Sequence, residues 1–215
     1  MRKMFWFLVG FVYFLLVWGN RLIHESTLFP PLMSSICLVL GIAAWSLTIT
    51  LACHQTWPNS SLIILAPKLK RLSLAGLGAL VLQFGLGALS RLDHAGLACP
   101  SFPLCSDAGF LPFNFESGIA FAHRWWGILM LGLFGHLSLA AIRTAPTLMA
   151  TARRSFALSV AQVLLGVGAV MTQLKSDSRI AHVAVGYALW GFLIYLGVRT
   201  GGFSASPRKT APSQP

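Results

Sequence analysis

The chain has 215 residues, of which 56% are hydrophobic and 10% charged, and its mean hydropathy is +0.73. That balance excludes an ordinary soluble domain, where charged residues approach a quarter of the total, and points to a polytopic membrane protein. The net charge of +11 invites a nucleic-acid reading, but the cations are scattered over the ends of apolar runs and form no basic face, so nucleic acid is set aside as a partner.

A bilayer is crossed by roughly 20 apolar residues in a helix. In chain order, six runs meet that measure, at about 4–18, 31–53, 72–90, 119–142, 155–174 and 180–198. The fold class expected is all-α, with six membrane spans. The first run follows Met1, Arg2 and Lys3 as a signal peptide would. It ends in Trp18, Gly19, Asn20 and Arg21, which is no small-residue cleavage site, so it is read as a span. Placing both termini in the cytoplasm puts Arg2, Lys3, Lys68, Lys70, Arg71, Arg143, Arg153, Arg154, Arg199, Arg208 and Lys209 there, 11 of the 16 basic residues. All five acidic residues, Glu25, Asp93, Asp107, Glu116 and Asp177, then fall outside. A multi-pass protein of the cell's inner membrane is expected.

Spans one and two carry no polar residue that suggests a function, and the joint after them, 54–71, is polar. Residues 1–71 therefore read as a two-helix extension. Residues 72–200 read as a four-helix unit, and the Ser/Pro/Lys-rich stretch 201–215 as a disordered tail. The four-helix unit looks internally duplicated about a pseudo-two-fold axis. Gly85-Leu86-Gly87-Ala88 in span three is matched with Gly166-Val167-Gly168-Ala169 in span five. His123 with Gly127 in span four is matched with His182 and Gly186 in span six, each histidine being placed in the first turn of its helix.

Two histidines at one depth on one side of a helical bundle suit a haem iron, which takes neutral imidazole as an axial ligand. Glycine at i+4 lies one turn along the same face, so Gly127 and Gly186 are expected haem contacts. Arg91, Arg124, Lys175 and Arg179 are placed to meet the propionates. Ionisable residues within membrane spans are usually functional, which sets this reading above that of two polar helix caps. His136 is 13 residues past His123, about 220° round the helix, and is read as structural. His24 and His54 are read as solvated, and His94 as a neighbour of the haem mouth. Cys99 and Cys105 share the outer side, where disulfides persist, and are expected to be paired. Their spacing does not fit a zinc knuckle. Cys37 and Cys53 lie within span two and are read as inert apolar fillers.

Gly87-Ala88-x-x-Arg91-Leu92, then Gly96-Leu97-Ala98-Cys99-Pro100-x-x-Pro103-Leu104-Cys105, then His123-Arg124 together resemble the haem A synthase family (COX15/CtaA). The resemblance covers about 72–199, with the later half matching loosely. It implies His123 and His182 as iron ligands and Cys99 with Cys105 as the loop cysteine pair. Family members carry two such units in eight spans, one for a substrate haem and one for a haem b cofactor. The implied reaction oxidises a methyl of haem O, through hydroxylated intermediates, to the formyl of haem A, with electrons arriving through a b-type haem. The cofactors implied are haem b, haem O or both.

Two positions depart from the family pattern. Ala120 stands where the family has a glutamate three residues before the first histidine. The nearest carboxylate is Glu116, seven residues before His123 on nearly the same helical face, and it is the candidate catalytic group. Phe102 replaces the family's tryptophan between the cysteines. With one unit only, a second haem site needs a homodimer or a second haem-domain subunit. A non-catalytic bis-histidine cytochrome is the alternative. A thiol oxidase is disfavoured, since it needs a Cys-x-x-Cys pair and a second outer pair. A transporter is disfavoured by the lack of a broken helix or buried carboxylate.

Overall fold

The computed structural model describes residues 31–56, 66–92, 95–99, 102, 105 and 114–203. They form five long helices: α1 (Pro31–Thr56), α2 (Pro67–Leu92), α3 (Phe115–Thr144), α4 (Met149–Met171) and α5 (Ser176–Arg199). Single 3₁₀ turns lie at Ala95–Leu97 and Pro146–Leu148, and there is no strand among the described residues. All five helices are long and apolar enough to cross a membrane. The expected first span, 4–18, lies outside the described residues, as do His24, Glu25, Asp93, His94, Asp107 and the tail beyond Phe203.

The helices outrun the apolar windows because hydropathy marks the stretch that suits lipid, whereas backbone hydrogen bonding and caps mark the ends. Proline opens α1 and α2, where its missing N–H has no intrahelical partner to lose. Asn114 caps α3: its side chain accepts from the Ser117 N–H at 2.8 Å while the Ser117 hydroxyl accepts from the Asn114 N–H at 3.1 Å. Pro146 ends α3, with Ala145 before it pushed out of the helical region (φ −154°, ψ 70°). The fifth span was expected to reach residue 174 but stops at Met171. Gln173 (φ 54°) and Leu174 (φ 59°) are both left-handed, which lets the chain reverse into α5 within four residues.

Helices α2 to α5 follow one another round a ring, and four-residue connections, 145–148 and 172–175, reverse the chain between α3 and α4 and between α4 and α5. Each packs on the next, and α2 closes the ring against α5. At the end carrying Lys68, Arg143 and Arg199 the ring is solid. Leu69, Leu77 and Leu80 of α2, Phe134 and Leu137 of α3, and Leu189, Leu193 and Leu196 of α5 are buried there. Gly76 permits the approach, because a Cβ on it would sit 3.1 Å from Phe134 and 3.2 Å from Leu193. At the other end the apolar core gives way to a cavity.

Helix α1 lies outside the ring on α5. Trp45 Nε1 donates to the Tyr187 carbonyl (3.1 Å), Trp190 Nε1 to Ser46 Oγ (2.7 Å), and Tyr187 Oη to the Leu38 carbonyl (3.2 Å). Such bonds hold membrane helices together where lipid offers no competing partner. Gly191 lies beneath Trp45 and Ile49, with no room for a Cβ.

Candidate functional site

His123 lies eight residues after the start of α3 and His182 six after the start of α5. Neither is in the first turn, contrary to expectation. Asn114 extends α3 towards the loop, and α5 begins at Ser176. The reading of these histidines as helix caps fails for the same reason: the residues at the N-caps are Asn114 and Lys175. Both imidazoles point into the hollow end of the ring, with centroids 6.4 Å apart and planes inclined at 62°.

Each imidazole is held between two helices by three corresponding residues, a glutamine and two glycines. On the first hairpin, Gln83 Nε2 lies 3.5 Å from His123 Nε2 and also donates to the His123 carbonyl at 3.2 Å. On the second, Gln162 Nε2 lies 3.5 Å from His182 Nε2. The ring of His123 rests on Gly87, where a Cβ would stand 3.2 Å from Cε1, and that of His182 on Gly166, at 3.3 Å. The amides in turn rest on the glycines four residues past each histidine. A Cβ on Gly127 would meet Gln83 Nε2 at 3.3 Å, and one on Gly186 would meet Gln162 Nε2 at 3.0 Å.

The contacts therefore equate Gln83 and Gly87 with Gln162 and Gly166, which shifts the expected match of the glycine pairs by two residues. Gly85 and Gly168, the other members of that match, have no atom within 4 Å of an added Cβ. Sequence reasoning passed over both glutamines. The signal was there as Gln-x-x-x-Gly in two apolar helices, but the denser glycine pairs drew the alignment onto themselves.

The cavity has a volume of about 220 Å³. Arg91, Arg124 and Arg179 line it, from α2, α3 and α5. Lys175, the fourth cation expected, is exposed and is not in the lining. Cys99 and Cys105 are both fully buried and joined as a disulfide. Their sulfurs sit 3.3 and 3.4 Å from the Ser117 carbonyl oxygen, and the Arg124 guanidinium donates to the Cys99 carbonyl, which fastens the loop to the first turns of α3. Phe102, from within that loop, and Leu174, from the tight turn, also line the cavity. Leu174 presses on Gly96, where a Cβ would come within 2.8 Å of it.

Ala120, buried, faces the cavity one turn before His123. Glu116 is exposed and does not line it. His54 and His136 are exposed on α1 and α3, away from the site. Cys53 is a free, buried thiol, and the Cys37 side chain lies outside the described atoms.

Among the described residues no three His, Cys, Asp or Glu side chains converge on one point. Two imidazoles facing one another thus supply two ligands, and any metal between them brings the rest of its coordination with it. Nitrogen–metal bonds of about 2 Å on either side put imidazole centroids about 6 Å apart, so the observed spacing fits one iron between them. Three cations in the lining, with no acidic side chain among them, suit the carboxylates of a porphyrin. A haem fits the residues present.

The model of the COX15-CtaA family, described as cytochrome oxidase assembly protein, matches residues 5–194. The match begins well before residue 72, so the resemblance takes in most of 1–71, which the motifs alone did not. Among similar proteins is a Heme A synthase of Geobacillus kaustophilus (strain HTA426), 32% identical over 113 residues, or 51% of this chain and 36% of that protein. The Heme A synthase of Bacillus cereus (strain AH187) is 29% identical over 120 residues, 53% of this chain and 39% of its own length. The aligned part is thus under two-fifths of these relatives.

Proposed function

The chain belongs to the COX15-CtaA family of cytochrome oxidase assembly proteins, and we propose that it holds a haem between His123 and His182 and acts in haem A formation. The observation that carries this is the pair of imidazoles 6.4 Å apart in a cavity that three arginines also line. His123 and His182 bind and orient the iron. Arg91, Arg124 and Arg179 receive the propionates, and the Phe102 loop and Leu174 keep water from the face they cover. The cavity is smaller than the ~300–1,000 Å³ usual for ligand pockets, so its flanking side chains would have to yield to admit a porphyrin. When bound, the haem supplies one-electron redox chemistry or is itself the molecule to be modified. The unit 72–200 is the haem-binding part and 1–71 its support in an inner membrane. A second haem comes with a homodimeric partner or another haem-domain subunit.

A second reading is favoured by one observation. The position that faces the cavity one turn before His123 is Ala120, while the nearest carboxylate, Glu116, is exposed. A site with no carboxylate in its lining suits a non-catalytic bis-histidine cytochrome or haem-handling protein. The deciding experiment is a reduced-minus-oxidised spectrum of the detergent-purified protein, with the haem extracted and identified. Haem O or haem A supports the first reading, and haem b alone the second. His123→Ala and His182→Ala should each abolish the low-spin spectrum. A wild-type protein free of haem after expression with ample haem would sink both readings.

A further inference from the structure

We infer that Gln83 and Gln162 are positioning residues that select the imidazole tautomer with a bare Nε2, the form able to ligate iron, and that Gln83 does so more firmly than Gln162. The inference rests on the haem site proposed above, but its central observable needs no haem.

A carboxamide nitrogen only donates. Gln83 Nε2 gives one hydrogen to the His123 carbonyl oxygen, and that contact fixes which way the amide faces, because a flipped amide would set oxygen against oxygen. Its other hydrogen is then available towards His123 Nε2 at 3.5 Å. A proton on that ring nitrogen would make a donor face a donor, so the proton is driven to Nδ1. Metals take the neutral imidazole through its unprotonated nitrogen, and partners outside the ligand shell commonly fix the tautomer. Here the amide would keep Nε2 unprotonated and so able to hold an iron.

Gln162 repeats the 3.5 Å contact to His182 but makes no second bond. Its amide is free to turn over and present oxygen, which accepts from a protonated Nε2. Selection at His182 is correspondingly weaker. The oxygens Oε1 of both glutamines, and Nδ1 of both histidines, are buried without a hydrogen-bond partner. Gly127 and Gly186 make the arrangement possible, since a Cβ on either would crowd the amide nitrogen.

The test uses the full-length protein, haem-free in detergent and labelled with ¹⁵N-histidine, with the two signals assigned from His123→Ala and His182→Ala. His123 should be almost wholly the Nδ1–H tautomer, and His182 a mixture. Gln83→Leu should let His123 relax towards a mixture. Gln83→Glu, of the same shape but accepting only, should invert it to Nε2–H. Gln162→Leu and Gln162→Glu should move His182 less. With haem added, Gln83→Glu should weaken affinity about tenfold and Gln162→Glu by less, within the range seen for such supporting partners. A role in packing alone predicts that Gln83→Glu behaves as wild type, and that outcome would overturn the inference. So would an effect at Gln162 as large as that at Gln83. If the wild type takes up no haem, the haem reading fails, while the tautomer populations still decide the part played by the glutamines.

Discussion

The hairpins α2–α3 and α4–α5 present the same lock, a Gln-x-x-x-Gly helix against a His-x-x-x-Gly helix, yet they are supported in opposite ways. In α2–α3 the support is at the loop end, where the disulfide, the Arg124 bond and the Asn114 cap fasten the connection to α3. The outer side of α3 is open, with Leu129 64% and Leu139 55% exposed. In α4–α5 the connection is a four-residue reversal through two left-handed residues, and support comes from the side, where α1 covers α5. One half is thus held at its mouth and the other along its back. The contrast separates what the site needs twice, the histidine lock, from what it needs once, a covered mouth.

The largest effect should come from the covered mouth. Cys99→Ser with Cys105→Ser removes the only covalent restraint on the α2–α3 connection among the described residues. It should destabilise the protein by about 2 kcal/mol, read as denaturant or thermal unfolding in detergent. Cys53→Ser, at a buried position of α1, should cost less, about 1 kcal/mol, since the hydroxyl can donate to the carbonyl four residues back. An equal effect of the two changes would break the contrast between loop-end and lateral support.

The lock itself predicts equality. Gly87→Ala and Gly166→Ala each push a methyl to 3.2 or 3.3 Å from an imidazole carbon, closer than ordinary contact. Each should cost about 1 kcal/mol in thermal unfolding, the lower end for overpacking. Gly85→Ala and Gly168→Ala meet open space and should be neutral within about 0.5 kcal/mol. If Gly85 and Gly168 proved the sensitive pair, the register read from the contacts would be wrong.

That register shows where the sequence was legible. Composition placed five of the six expected spans on described helices, because hydropathy over 20 residues is set by lipid and little else. The cavity-facing histidines were visible as two polar residues in matching contexts of apolar runs, and Cys99 with Cys105 as a pair on one side. Gln83 and Gln162 were passed over because an uncharged amide in a membrane helix is tolerated and the denser glycine pairs drew the alignment. The amide's meaning lies in the residue across the groove. The reach of Arg124 to the Cys99 carbonyl, and the turn of Leu174 onto Gly96, depend on loop geometry that spacing does not fix. Glu116 looked near His123 on a helical wheel, but the wheel omits which side of α3 the ring covers.

The smallest effect tests the lateral support. Trp190→Phe keeps most of the ring and removes the indole bond to Ser46, whose hydroxyl still donates to the Ile42 carbonyl, so no buried group is orphaned. Trp126→Phe does the same to the bond from α3 to the Ala79 carbonyl of α2 at 2.9 Å. Interhelical bonds of this kind contribute about 0.6 kcal/mol in a membrane protein, so each change should lower unfolding free energy by about that amount. Trp190 ties α5 outward to α1, whereas Trp126 ties α3 inward to its own hairpin. The two bonds share no partner, and the double variant should lose the sum of the single losses. A coupling larger than about 0.5 kcal/mol would mean that α1 steadies the whole ring and not α5 alone, and the division into a mouth-held half and a back-held half would have to be given up.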